Sequence, residues 1–435
     1  MRILVIGGGA REHAIAWKLA GERGVSQVLC APGNAGIAAV ARCLPADLGD
    51  PVALLGLAQR EEVDLTVVGP ELPLSAGVAD VFRAHGAPII GPEREAAALE
   101  WSKAFAKGFM RRHQIPTAPF EVCESAESAY AALSGGRFGY PLVIKADGLA
   151  AGKGVVIAED RYAAERAIRE AMVDRRFGAA GERLVFEEFL VGEEASYFVL
   201  ASGTSFVSLS SAQDHKRIYD NDRGPNTGGM GAFAPSALMT PAAERVVIDR
   251  IVRPVLDGMH REGRPYHGFL YVGLMLTADG PRVVEFNVRL GDPEAQVVLP
   301  RLAAPLSSVL AAAAAGALPP EGVGVHPDPH VGVVLAARGY PDAPDTGGEI
   351  SGIEEAAAVP RALVFHAATA LRQGRLVTTG GRVLTVVGSG GSFAEAIDTA
   401  YRAASHINFD GMQLRRDIGR TALTSPLAAG ASSDD

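Results

Sequence analysis

Val283-Val284-Glu285-Phe286-Asn287-Val288-Arg289-Leu290 alternates apolar and polar residues, the pattern of a β-strand with one buried face. On such a strand Glu285, Asn287 and Arg289 share one side, and Val284, Phe286, Val288 and Leu290 the other. Upstream, residues 269–276 read as a partner strand, and Ala278-Asp279-Gly280 supplies the turn of a hairpin. A carboxylate and an amide oxygen on one face are hard donors suited to Mg²⁺, which takes oxygen ligands together with substrate phosphates. Arg289 beside them can fork onto a carboxylate or a phosphate. Alone, the stretch reads equally well as a half-exposed strand with a surface ion pair. The rest of the chain decides between the two.

The first such neighbour is Asp147-Gly148-Leu149-Ala150-Ala151-Gly152-Lys153-Gly154, between apolar runs at 141–146 and 155–158. It is not a Walker loop: Gly148 and Gly152 enclose three residues, Gly154 follows Lys153 in place of Ser or Thr, and a strand comes next. A glycine loop between strands acts as a flap whose backbone donors close over a triphosphate, as in protein kinases. Lys145, on the preceding strand, points at the same phosphates. Farther on, 184–189 and 195–200 read as another strand pair. Between them, the backbone of Glu187-Glu188-Phe189-Leu190 suits an adenine edge and Glu194 the ribose hydroxyls, although a plain acidic turn has the same sequence.

The first hundred residues alternate short apolar runs (2–6, 27–30, 65–68 and 88–90) with stretches of helical spacing, such as Ala14, Ile15 and Leu19, or Val52, Leu55 and Ala58. This predicts a parallel, doubly wound sheet with ligands beyond the carboxyl ends of its strands. At those ends stand Gly7-Gly8-Gly9-Ala10-Arg11, Pro32-Gly33-Asn34-Ala35-Gly36 and Gly69-Pro70-Glu71. The dinucleotide fingerprint is broken, because Glu12 occupies the third glycine position. A single phosphate held by backbone N–H groups and Arg11, a purely structural turn and a nicotinamide site all stay open at this stage.

Elsewhere, 102–113 reads as a helix stopping before Pro116, and 213–235 as a long polar loop of the kind that is often functional. Another helix begins at Thr240-Pro241. The alanine-rich stretch 302–320 contains Pro305 and reads as an ordinary helix, not a membrane span. From about 326 the pattern becomes strands at 331–336, 362–367 and 383–387, then a helix opened by Ser392 and Glu395 in capping-box spacing. The expected architecture is α/β and α+β, in several domains. A doubly wound amino-terminal domain covers 1–100, and a core covers 101–325 with a lid at about 121–190. A small α+β domain covers 326–423, and a disordered tail 424–435.

A chain of 435 residues exceeds one compact core. Hydrophobic residues at 48% and charged residues at 21% are globular values, and a net charge of -9 argues against a nucleic-acid partner. Cys30, Cys43 and Cys123 are widely spaced with no CxxC, which points to a reducing cytosol instead of a zinc cluster or disulfide framework. The apolar run 1–6 is cut short by Gly7-Gly8-Gly9 and then Arg11, Glu12 and His13, so no signal peptide is expected.

The ordered set of motifs resembles the phosphoribosylamine–glycine ligase (glycinamide ribonucleotide synthetase) family of the ATP-grasp superfamily, over nearly the whole chain. Its residues are Gly7 to Ala14, Ala31 to Gly36, Val68 to Glu71, Ser102-Lys103, Ile144 to Val155, Gln213 to Arg217, Gly224 to Gly231 and Gly291 to Glu294. The resemblance implies an ATP-grasp core with a mobile lid, and a reaction in which ATP phosphorylates glycine and phosphoribosylamine attacks the glycyl phosphate. It implies that Lys103, Lys145, Gly148, Gly152, Lys153 and Gly154 meet ATP phosphates, with Glu187, Glu188, Phe189, Leu190 and Glu194 around the nucleoside. Glu285 and Asn287 would hold Mg²⁺, with Mn²⁺ as the alternative. Arg289 and Asp214 would orient glycine, and Gly9, Arg11, Asn34, Pro70 and Glu71 would hold phosphoribosylamine. No covalent residue is expected, and His215 is read as a loop residue. The partners are these small molecules, with neither nucleic acid nor membrane, for a cytoplasmic monomer or weak oligomer.

The chain departs from the family pattern at Trp101, Ala76, Val288 and Leu290. Val288 and Leu290 are expected to alter packing only, whereas Trp101, close to Lys103, bears on how ATP sits. Rival readings are a carboxyaminoimidazole ribonucleotide synthetase or biotin carboxylase type of ATP-grasp ligase, a nicotinamide-dependent oxidoreductase, and an inactive ATP-binding regulator.

Overall fold

The computed structural model describes residues 1–148, 154–320 and 322–424. Gly152 and Lys153, and the expected tail beyond 424, lie outside the described residues. The first five strands are β1 (Arg2–Gly7), β2 (Gln27–Pro32), β3 (Arg42–Cys43), β4 (Leu65–Val68) and β5 (Ile89–Ile90). They form one parallel sheet in the order β3-β2-β1-β4-β5. Strand order reverses between β1 and β4, which opens a crevice at their carboxyl ends. Gly7 to Gly9 and Gly69-Pro70-Glu71 stand there, as the alternation predicted. The expected stripe of Val52, Leu55 and Ala58 needs correction: Val52 is exposed, and Leu54, Leu55, Leu57 and Ala58 face the core of helix Pro51–Arg60.

The lid is a four-stranded antiparallel sheet, β6 (Phe120–Cys123), β7 (Leu142–Ala146), β8 (Val155–Ala158) and β9 (Leu184–Glu188), in the order β6-β9-β7-β8. Helices Ala126–Ser134 and Arg161–Ile168 back it, and together they bury a core of their own around Ile144, Ala164 and Phe186. The base of its glycine loop is fixed. Asp147 accepts the Ala104 N–H at 3.0 Å at the amino end of helix Lys103–Arg112, whose N-cap is Ser102, and pairs with Arg183 at 2.8 Å.

The remaining strands are β10 (Glu193–Ser202), β11 (Ser205–Asp214), β12 (Arg217–Tyr219), β13 (Arg223–Asn226), β14 (Gly231–Ala234), β15 (His267–Thr277), β16 (Gly280–Asn287), β17 (His330–Ala336), β18 (Ala362–His366), β19 (Thr369–Arg372), β20 (Arg375–Thr378) and β21 (Arg382–Ser389). Eight of them form one antiparallel sheet, β16-β15-β10-β11-β14-β17-β21-β18. The stretch 213–235 is therefore not an unstructured loop. It carries the β12–β13 hairpin and a fully buried strand, β14. Four short residues, Gly-Ala-Phe-Ala, were too few to show a period. β14 pairs with β17, so the sheet runs without a break from the core into the carboxyl-terminal part.

The amino-terminal sheet meets that part through His13 and Asn34. His13 Nδ1 accepts the His366 N–H at 2.8 Å, so the ring carries its proton on Nε2. Asn34 Nδ2 donates to the His366 carbonyl at 2.7 Å and the Gly8 carbonyl at 3.0 Å, while its oxygen accepts from Gly36 and Ile37.

Candidate active site

A cleft of about 750 Å³ lies between the lid, the end of β16 and the crevice of the amino-terminal sheet. That is ample for a nucleotide and a second small molecule. Four charged groupings line it.

Under the lid, Glu187 on β9 takes Lys107 Nζ at 2.6 Å and Lys145 Nζ at 2.9 Å. Lys145 also donates to the Val284 carbonyl at 3.1 Å, and Lys103 to the Gly148 carbonyl at 3.0 Å. Burial works against ionisation of Glu187, yet Lys145 and Lys107 hold it below the ordinary carboxylate value. Burial pulls Lys107 down to about 8 against Glu187.

On the floor, Glu285 is half-buried, and desolvation opposes its charge. Lys216, Lys145, Lys103 and Arg289 overcome that and keep it ionised. Strand β16 ends at Asn287, so Arg289 stands two residues beyond it on a bend. Its side chain nevertheless turns to the same side: Nη2 donates to Asn287 Oδ1 at 3.1 Å and pairs with Glu100 Oε1 at 2.8 Å. Nε lies 3.4 Å from Glu71 without a well-formed hydrogen bond. Val288 and Leu290 point into apolar cores, which fits packing changes alone.

Along the far wall, Lys216 is paired with Glu194 and lies 4.0 Å from Asp214 Oδ1. Burial pushes Asp214 up, to about 7; Lys216 opposes this, and Glu294, Glu194 and Glu285 add to it. Glu294 is raised by burial as well.

At the amino-terminal crevice, Glu12 folds back as a cap. Its carboxylate accepts the Gly9 N–H at 2.6 Å and Arg11 Nε at 2.6 Å. Gly7, at φ 125, and Gly69 are bare because Glu12 fills the space where their Cβ atoms would stand. Arg11 Nη1 reaches the Leu290 carbonyl at 3.2 Å. Opposite, Arg382 pairs with Asp292 at 3.1 Å and donates to the carbonyls of Asp292 and Gly228, both at 2.5 Å.

Most expected residues therefore converge on one cleft: Arg11, Pro70, Glu71, Lys103, Lys145, Gly148, Gly154, Glu187 to Leu190, Glu194, Asp214, Glu285, Asn287 and Arg289 all line it. Asn34 does not; its side chain ties the amino-terminal turn to the β18 end. The Gly9 N–H is already bonded to Glu12. Trp101 turns away from the lining, with Nε1 donating to the Arg94 carbonyl at 3.2 Å. Glu100, Lys107, Lys216, Glu294 and Arg382 had no assigned role in the sequence reading. Lys107 follows Lys103 by one helical turn, and Glu100 ends the buried run Ala96 to Leu99; both signals were present. Lys216, Glu294 and Arg382 come together only through long-range packing.

No cluster of three or more His, Cys, Asp or Glu of metal-holding geometry occurs among the described residues. One half-buried carboxylate and one buried amide oxygen suit a cation that arrives with phosphates and keeps its waters, and Mg²⁺ behaves in that way.

Three family models match consecutive parts of the chain: phosphoribosylglycinamide synthetase N domain at 1–100, its ATP-grasp (A) domain at 101–295 and its C domain at 330–421. Phosphoribosylamine–glycine ligase from Ralstonia nicotianae is 49% identical over 426 residues, spanning 97% of this chain and 100% of that protein. The crystal structure of phosphoribosylamine–glycine ligase from Thermotoga maritima superposes with a TM-score of 0.83 at 37% identity, covering 96% of this chain and 100% of the other. A Campylobacter jejuni biotin carboxylase gives 0.72 at 16% identity, covering 100% of this chain and 97% of the other, a likeness of fold alone.

Proposed function

The chain belongs to the phosphoribosylglycinamide synthetase family of ATP-grasp ligases, and from that premise we propose how its cleft divides the work of joining glycine to 5-phosphoribosylamine. The reaction gives glycinamide ribonucleotide, ADP and phosphate for purine biosynthesis. A glycine carboxylate oxygen attacks the γ-phosphorus of ATP and ADP leaves. The amine of phosphoribosylamine then attacks the carbonyl carbon of glycyl phosphate; phosphate departs, and the nitrogen gives up its proton as the amide forms.

Lys103 and Lys145 meet the phosphates, and Gly148 and Gly154 line the same part of the cleft. The Glu187 to Leu190 segment and Glu194 receive the nucleoside. Glu285 and Asn287 are the donors for Mg²⁺ or Mn²⁺, which would supply charge neutralisation at the transferring phosphoryl group. Asp214 takes the glycine ammonium. Arg289, held by Glu100, offers its guanidinium to the carboxylate. Arg11, Pro70, Glu71 and the Gly9 turn border the phosphoribosylamine end, while Asn34 shapes that end from behind. An acyl phosphate needs no enzyme nucleophile, so orientation and exclusion of water carry the rate. The same reading takes the protein as a cytoplasmic monomer or weak oligomer acting on small molecules alone.

The observation that supports this division is the meeting of Glu285, Asn287 and Arg289 with Lys103 and Lys145 in one cleft under the lid. Mass detection of glycinamide ribonucleotide from phosphoribosylamine, glycine and Mg·ATP, wild type beside E285A, D214N and R289K, tests it. Normal product formation by all three variants would remove it.

A further inference from the structure

Asp214 and Lys216 are held on two sides. On one, His215 N–H donates to the Gly231 carbonyl at 2.9 Å, Met230 N–H to the His215 carbonyl at 2.7 Å, and Thr227 N–H to the Lys216 carbonyl at 2.7 Å. The other side is closed by a segment some two hundred positions later in the chain. Arg415 is 1% exposed, and its guanidinium forks onto Asp417, Nε to Oδ1 at 2.8 Å and Nη2 to Oδ2 at 2.7 Å. Nη1 then donates to the Arg217 carbonyl at 3.1 Å and to Asp222 Oδ1 at 2.7 Å. The same segment takes the turn of the β12–β13 hairpin from outside. Asn221 N–H donates to Asp417 at 2.8 Å, and Arg416 N–H to Asp220 at 2.7 Å. Gly419 N–H reaches His215 Nε2 at 3.3 Å.

Arg415 does not line the cleft, and it is buried at a cost that a surface residue would avoid. What it secures is the carbonyl of Arg217, one residue past Lys216. We infer that Arg415 is a positioning residue for the glycine site: anchored by Asp417, it fixes the 214–217 backbone and thereby aims Asp214 and Lys216 into the cleft. This rests on the assignment of the glycine ammonium to Asp214. A lysine at 415 would keep the charge, but it cannot serve Asp417, Asp222 and the Arg217 carbonyl in one plane.

The test is steady-state kinetics of the full chain for wild type, R415M, R415K, D222A and D214N, varying glycine and ATP separately. R415M is expected to raise the glycine KM about tenfold or more, since a small displacement of an orienting group has that effect, with the ATP KM unchanged. R415K should fall between wild type and R415M. Asp222 is an exposed residue on the loop, so D222A folds; it removes one acceptor and should raise the glycine KM a few-fold. Folded R415M with wild-type glycine KM, or with glycine and ATP KM raised alike, overturns the inference. If R415M fails to fold, an unchanged glycine KM in D222A does so. A raised KM in D214N beside an unchanged one in R415M sinks the inference alone. An unchanged KM in D214N removes the glycine assignment and the inference with it.

Discussion

Glu100 and Arg289 meet at 2.8 Å inside the protein, and the other Glu100 oxygen accepts the Val288 N–H, also at 2.8 Å. One carboxylate thus fixes both the backbone where β16 ends and the guanidinium beyond it. E100Q keeps an acceptor for Val288 and leaves Arg289 facing Glu71 alone. Removing one partner of a buried pair costs about 3–5 kcal/mol, so urea denaturation should show a loss near that size. The glycine KM should rise with it. A variant as stable as wild type, with unchanged glycine saturation, would contradict this reading.

Glu285 is the carboxylate on which four cationic side chains bear. E285A should lower kcat by about a hundredfold or more, the scale of losing one charge-stabilising element. ATP binding should lose its dependence on Mg²⁺. Calorimetric titration with ATP, with and without the metal, measures the second effect directly; metal-dependent binding that survives in E285A would exclude Glu285 as a donor.

Asp214 sets a pH dependence. Burial pushes its carboxyl up to about 7, and only the ionised form attracts an ammonium. As pH falls through that value the binding form is lost, so kcat/KM for glycine should drop about tenfold per pH unit on the acid side and level off above it. D214N should show a low, flat profile across the same range. A wild-type profile without this limb would place the ammonium elsewhere.

His13 and His366 are buried and neutral, with pKa values lowered to about 3 and about 4 by burial, and for His13 also by His366. Both lie below the unfolded value of about 6.5. The unfolded chain therefore takes up protons first as the solution is acidified. Stability is fully present above the unfolded value and falls as pH drops toward the folded ones, by up to about 1.4 kcal/mol per pH unit for each ring. H13N retains an acceptor for the His366 N–H and cannot be protonated, so its unfolding free energy should depend less steeply on pH between neutrality and mild acid. An equal slope in wild type and variant would exclude His13.

Local pattern revealed the parts of this fold that have a period. The strands around the glycine loop, the hairpin ending at Asn287 and the parallel sheet of the first hundred residues all appear where alternation placed them. Pattern failed where an element was short or its partner distant. β14 spans four residues, and only its pairing with β17 makes it a strand. The shared side of Glu285, Asn287 and Arg289 was legible as strand alternation, yet Arg289 lies past the strand and is turned inward by Glu100. Asn34 was visible as a residue at a strand's carboxyl end. That its amide faces the β18 end instead of the cleft depends on a contact more than three hundred positions away.

The joint between β14 and β17 also governs when this protein can finish folding during synthesis. The lid has a core of its own and can close while the ribosome is still at work. The large sheet cannot, because β14 presents a bare edge until β17 and β21 emerge with the last quarter of the chain. A nascent chain stalled before that point would expose an unpaired strand to other chains, which makes the closing segment a built-in guard against aggregation.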